Sequence, residues 1–227
     1  MHLFPYNQDI SFPDTSDHCR GRHSDQKPCT LAPPPSRSGK QPWFSDVPMP
    51  CRQITDVSEY RFEDIRPGDH VVDIGANVGA FCIRAAYRSR HVVAVEPVTA
   101  KILQENIRIN GVTVTVVKGG LGDGKNKEIG WDGCHAVVPT YTLKSIIGIA
   151  GGCDFLKCDC EGAEWLIDPV DLNDVRRIEM ELHLPPISGP VNTALLDYIS
   201  RQYDFEIERK PCHTALGVMG VLHAEKQ

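Results

Sequence analysis

Three things are scarce in this 227-residue sequence: positive charge, long apolar runs and internal repetition. The 24 Lys and Arg against 30 Asp and Glu leave a net charge of −6, so the global field does not recruit polyanions, although a local basic patch could form. No stretch approaches the roughly 20 apolar residues that cross a bilayer. Residues 1–10 lack a basic segment followed by an apolar core, so no secretory signal is read and a cytoplasmic location is expected. The nine cysteines are an odd number, which excludes a fully paired disulfide framework within one chain. Cys82, Cys153, Cys158 and Cys160 fall in stretches that read as buried elements and are expected to be reduced, packed as small apolar groups.

The chain is long enough to bury one good core. Residues 1–50 carry nine of the 17 prolines, including Pro33-Pro34-Pro35, and show no apolar periodicity, so they read as an irregular arm ahead of a domain spanning 51–227. Its aromatics Phe4, Tyr6, Phe12, Trp43 and Phe44 exceed what a linker needs and suggest packing on the domain or cover for a pocket. From Ile54 onward, short β-branched runs alternate with amphipathic segments, the mark of βα units around a parallel sheet. Strands are predicted at 70–74, 92–96, 113–117, 153–158, 176–182, 203–208 and 216–222, and helices at 57–64, 78–88, 98–109, 142–148, 162–168 and 191–201. The last two strands are too close for a crossover helix and must be antiparallel neighbours. The expected fold is α/β: a doubly wound, mostly parallel seven-stranded sheet with an antiparallel C-terminal strand, Rossmann-like.

Val71-Val72-Asp73-Ile74-Gly75-Ala76-Asn77-Val78-Gly79 reads as a strand entering a glycine loop, and Asp73 falls at the carboxyl end, where open α/β sheets bind ligands. A dinucleotide fold would want Gly-x-Gly-x-x-Gly, but Gly75, Asn77 and Ala80 occupy those three positions. The broken fingerprint points to a nucleoside cofactor without a diphosphate. S-adenosylmethionine meets that description, its amino acid end on exposed backbone groups and Asp73 near its ammonium. The second strand ends in Glu96-Pro97, 23 residues after Asp73, a spacing that suits a carboxylate accepting from a ribose diol. Capping of the next helix is the structural alternative for Glu96. Gly75, Asn77, Gly79, Pro97 and, beyond the third predicted strand, Gly120 and Leu121 are assigned to the cofactor with them.

Asp154-Phe155-Leu156-Lys157-Cys158-Asp159-Cys160-Glu161-Gly162-Ala163-Glu164 closely resembles the central motif of FkbM-type methyltransferases, and Tyr60 to Gly79 and Glu96 to Gly111 resemble the same family. The similarity covers roughly residues 55–222. It implies a class I S-adenosylmethionine-dependent methyltransferase acting mostly on hydroxyl groups of sugars or other metabolites. Cys158 and Cys160 depart from the aliphatic residues usual there, and the arm matches nothing in the family.

The sulfonium already activates the methyl group, so the protein has to align an acceptor and remove its proton. Lys157 and Asp159 share one strand face at a carboxyl end, and Asp159 is the first candidate for base or acceptor positioner; it is assigned to the cofactor side as well. An ion pair with Lys157 that only shapes the loop is the alternative. In Ile178-Glu179-Met180-Glu181-Leu182-His183 the alternation is odd for an interior parallel strand. Glu181 and His183 are therefore read as substrate-binding together with Glu161, and His183 as a base near neutral pH. Glu164 reads as a helix cap.

No metal site is assigned. His18, Cys19, His23 and Cys29 lack a Cys-x-x-Cys pair and lie in the proline-rich arm, which argues against zinc. Cys158, Cys160, Cys212 and His213 could meet only if the sheet order allows it. Magnesium would need several oxygen ligands, for which Asp159, Glu161 and Glu181 are the candidates, and metal dependence stays open. A small-molecule acceptor is favoured by the charge. Arg84, Arg88, Arg90 and Lys101 could form a basic surface for RNA, and an RNA or protein acceptor, or a nucleotide-binding oxidoreductase or noncatalytic module, are the alternatives.

Overall fold

The computed structural model describes residues 57–131, 134–184, 190–208 and 218–227. The arm of residues 1–50, its zinc candidates, and Cys212 and His213 lie outside the described residues. Seven strands form one sheet: β1 (His70–Ile74), β2 (His91–Val95), β3 (Thr115–Val117), β7 (Phe155–Cys158), β8 (Arg177–His183), β9 (Tyr203–Glu208) and β10 (Val218–Lys226). Their order is β3-β2-β1-β7-β8-β10-β9. β3, β2, β1, β7 and β8 run parallel, while β10 lies antiparallel between β8 and β9. The expected doubly wound sheet with an antiparallel C-terminal strand is therefore present, and the short β9–β10 connection does join antiparallel neighbours.

The period-2 alternation of the central strands decides the two cores. Val72, Ile74, Val93, Val95, Leu156, Ile178 and Met180 face one way, against Leu143, Ile146 and Ala150 of α3 (Leu143–Ala150) and Leu195 and Ile199 of α4 (Thr193–Gln202). Val71, Val92, Ala94 and Phe155 face the other way, against α1 (Ala80–Ala86) and α2 (Ala100–Asn110). Thr142 caps α3, its side chain accepting from the Ser145 N–H.

Two predicted helices are single 3-10 turns. In 57–64 only Phe62–Asp64 is helical, after a separate turn closed by the Tyr60 N–H on the Val57 carbonyl at 3.1 Å, because the Arg61 N–H is taken by the Glu179 carboxylate at 3.2 Å rather than by a helical carbonyl. In 162–168 only Glu164–Leu166 turns; Pro169 holds Asp168 extended and stops the helix there. A second sheet was missed. β4 (Gly120–Leu121), β5 (Asn126–Trp131) and β6 (Cys134–Tyr141) pair in the order β4-β6-β5. Pro139 in β6 masks the strand signal, and it is tolerated in the middle strand because β4 pairs only with Thr140 and Tyr141. No helix among the described residues is long and apolar enough to cross a membrane.

Candidate active site

A cavity of about 290 Å³ opens at the carboxyl ends of β1, β2 and β7, near the low end of ligand-site volumes. Its wall carries Gly75, Asn77, Glu96, Pro97, Gly120, Leu121, Asp159 and Glu161 from the sequence assignment. Apolar contacts come from Val95, Ile129 and Leu166, and the second sheet adds Lys127, Glu128 and Thr140. Sequence reasoning missed that hairpin contribution. Asp73, Gly79, Lys157, Glu181 and His183 are not on the wall.

Asp73, assigned to the cofactor, lies behind the cavity wall. Its side chain is 0% exposed and sits under the glycine loop, with Lys157 Nζ 3.2 Å away. The same Nζ donates to the Gly75 carbonyl at 2.9 Å, so the ion pair tethers the loop to the sheet. Burial pushes the Asp73 carboxyl up, and Lys157 offsets that only in part. Burial works against the Lys157 charge, but Asp73 and Asp159 outweigh it and hold the ammonium above the usual lysine range. A lysine so held stays protonated and is not a base.

The glycines of the loop also have a packing role. Gly75 has φ +74°, and a Cβ there would fall within the radius of the Asp159 carbonyl oxygen. Gly79, at φ +99°, would place a Cβ 2.7 Å from the Leu103 side chain. Their bareness lets α2 and the segment after β7 approach the loop, while Gly75 also stands on the cavity wall. Asn77, at φ 48°, completes the turn in a left-handed conformation that Asn tolerates.

Glu96 is buried and clamps the loop to the start of α2. Its Oε2 accepts from the Asn77 N–H at 2.8 Å, and its Oε1 from the Val98 and Thr99 N–H groups at 2.7 and 2.9 Å. The capping alternative is thus real, and it coexists with a place on the cavity wall.

At the rim, Asp159 Oδ2 accepts from the Tyr60 hydroxyl at 3.2 Å and lies 3.8 Å from Lys157 Nζ. Tyr60 was missed as a site residue; its only sequence signal is its place in the segment resembling the family. The Glu181 carboxyl contacts Asp159, and burial followed by the Asp159 charge pushes it up to about 8. Burial likewise pushes Glu161 up. His183 lies beside them with its side chain 4% exposed. Burial disfavours its charged form, but contact with Glu164 and the charges of Glu164, Asp159 and Glu161 win and push it up to about 9. Glu164, fully buried, accepts from the Gly162 N–H at 2.9 Å and the His183 N–H at 2.7 Å. It caps no helix and ties the β7 loop to β8 instead. Cys158 and Cys160 bring their sulfurs to 3.4 Å; contact with Cys158 and burial hold the Cys160 thiol well above its ordinary range.

Arg84 and Arg88 turn to backbone carbonyls, Ala80 at 2.7 Å and Phe62 at 3.3 Å, and none of Arg84, Arg88, Arg90 and Lys101 lines the cavity.

No curated protein matches the chain in sequence. Among solved structures it is similar to an rRNA methylase from Streptococcus thermophilus, at 11% identity and TM-score 0.49, covering 73% of this chain and 92% of that one. It is also similar to an O-methyltransferase from Bacillus cereus in complex with SAH, at 16% identity and TM-score 0.45, covering 69% and 73%. A precorrin-6y C5,15-methyltransferase from Geobacter metallireducens matches at 12% identity and TM-score 0.45, covering 73% and 85%. The family model for the methyltransferase FkbM domain matches residues 73–207, more than half of the chain, from Asp73 through the cavity wall into β9. The protein belongs to the FkbM methyltransferases and is an S-adenosylmethionine-dependent enzyme.

Proposed function

We propose that the enzyme methylates a hydroxyl of a small molecule or sugar, with the methyl donor in the cavity and Asp159 receiving the acceptor's proton. The observation that carries this reading is the place of Asp159: on the cavity wall, held by the Tyr60 hydroxyl and beside the buried Lys157 ammonium. S-adenosylmethionine fits the residues present. Val95, Pro97, Leu121 and Ile129 give an apolar surface for a purine, Glu96 a buried carboxylate for a diol, and Asp159 and Glu161 negative charge for an ammonium. Gly75, Asn77 and Gly120 complete the donor's surroundings, with Gly79 and Asp73 supporting the loop from behind.

When bound, the donor supplies a methyl group already activated by its sulfonium. The chain has to align an acceptor oxygen with it and take one proton. Lys157 and Tyr60 fix the Asp159 carboxylate for that task, and Glu161, Glu181 and His183 are assigned to the acceptor. Three carboxylates at this rim disfavour a polyanion, which supports a small hydroxyl acceptor over RNA.

S-adenosylhomocysteine at about 100 times its Kd should stabilise the protein by about 2.7 kcal/mol, and NAD should not. Asp159→Ala should bind S-adenosylhomocysteine but lose methylation of hydroxylated small molecules when followed with a radiolabelled methyl donor. Label transferred to RNA or protein instead, or full turnover by the variant, overturns the reading.

A further inference from the structure

The rim holds more acid than methyl transfer requires. His183 Nε2 lies 3.5 Å from Glu161 Oε2, 3.8 Å from Asp159 Oδ1 and 3.8 Å from Glu181 Oε2. One donor atom from each of Asp159, Glu161 and His183 falls within 4.8 Å of the others. Lys157 offsets little of this charge, since it stands nearer to Asp73, at 3.2 Å, than to Asp159, at 3.8 Å. Separations of this size are loose for hydrogen bonds. They are close to the roughly 3–4 Å between neighbouring ligands around an ion with bonds of about 2.0–2.2 Å.

His183 gives the second, independent observation. Its side chain is 96% buried, and its Nδ1 has no hydrogen-bond partner among the described residues. Nε2 faces the carboxylates, while Nδ1, itself without a hydrogen-bond partner, stands 3.4 Å from Glu164 Oε1. A buried carboxylate behind one ring nitrogen and open ligands before the other is the arrangement that orients histidines on metals. Glu164 is fixed for that purpose by the Gly162 and His183 N–H groups.

We propose that Asp159, Glu161 and His183 bind a divalent first-row transition cation, with Glu181 as the neighbouring oxygen donor and Glu164 orienting the histidine. Imidazole mixed with carboxylates, and no thiolate in the set, suits Mn²⁺, Fe²⁺ or Zn²⁺ better than Mg²⁺ or Ca²⁺. Three protein ligands leave positions open to water or an acceptor oxygen at the cavity rim. That last role rests on the methyl-transfer reading; the binding of the ion does not.

The test uses the untagged full chain, stripped with chelator and titrated calorimetrically with Mn²⁺, Zn²⁺ and Mg²⁺ in the absence of methyl donor and acceptor. One Mn²⁺ or Zn²⁺ per chain is expected, tighter than Mg²⁺. Glu161→Gln, at a half-exposed position, should keep the cooperative thermal transition and weaken Mn²⁺ binding by about tenfold or more. Electron spin-echo spectroscopy of bound Mn²⁺ should show a ¹⁴N coupling that His183→Asn removes. Failure of all three ions to saturate at millimolar concentration, unchanged binding in Glu161→Gln, or a ¹⁴N signal that survives His183→Asn would each overturn the site. Because S-adenosylhomocysteine binding is measured separately, loss of the metal site leaves the methyl-donor reading standing, and the reverse holds too.

Discussion

Gly75→Ala separates two meanings of a glycine in a cofactor loop. If bareness at this position serves only ligand approach, the apoprotein should tolerate a methyl group there. The structure says otherwise, because a Cβ at Gly75 would overlap the Asp159 carbonyl oxygen, a backbone atom that cannot rotate aside. Two costs add. The left-handed conformation at φ +74° costs an alanine about 1–2 kcal/mol, and forcing packed backbone apart costs about 1–3 kcal/mol more. Gly111 provides the internal control: it has φ +62°, closes α2, and a Cβ there meets nothing within 4 Å. Gly111→Ala should therefore show the conformational cost alone, a fall in Tm of about 2–8 °C for a domain of this size. Gly75→Ala should lose about 4–20 °C by the same conversion, measured without ligand by circular dichroism. It should also displace Asp159 and lower turnover more than S-adenosylhomocysteine affinity. Equal shifts in the two variants would show that the loop and β7 do not meet as described.

Lys157→Met leaves the fully buried Asp73 without its partner and should cost about 3–5 kcal/mol, while adding Asp73→Asn should recover most of that loss in a thermal double-mutant cycle. Glu179→Ala takes from His223 and Arg177 the carboxylate that each bonds at 2.7 Å, leaving Arg177 only Asp64, and should lower the urea midpoint by a similar free energy with no change in m. Thr142→Ala removes the cap of α3 and should cost about 1 kcal/mol in the same assay, leaving cofactor affinity unchanged.

The large sheet was legible because its signals are local and periodic. Val71, Val72 and Ile74, or Val92, Val93 and Val95, are runs that only a buried parallel strand accommodates, and both faces of that sheet are covered. The second sheet was not legible, since half of Asn126 to Trp131 is polar and Pro139 directly follows the two valines of β6. Among site residues, the loop, Glu96 and Asp159 could be found from their positions at strand ends. What could not be found is direction: whether a side chain at such an end looks into the cavity or back into the sheet. Asp73 and Asp159 are register partners' neighbours on the same face, Asp73 pairing with Lys157 across β1 and β7, yet one is sealed beneath the loop and the other reaches the rim. That difference is set by two residues of strand length, and no periodicity reports it.

The polar alternation of β8 shows how one sequence pattern can have two causes. Arg177, Glu179, Glu181 and His183 occupy one face of an interior strand, against the preference for apolar residues on both faces. At the start of the strand the charges are consumed by pairing. The Arg177 guanidinium bonds Glu179 at 2.7 and 3.0 Å and meets Asp64 at 2.9 Å, while Glu179 also meets His223 at 2.7 Å and accepts from the Arg61 N–H. Such a network satisfies buried charge and holds the segment ahead of β1 against the sheet. At the end of the strand the same alternation brings His183 Nε2 to within 3.5–3.8 Å of three carboxylates, while its Nδ1 has no hydrogen-bond partner among the described residues. Where partners close, the polarity is structural; where they stop short around a buried ring, it is the arrangement on which the proposed cation site rests.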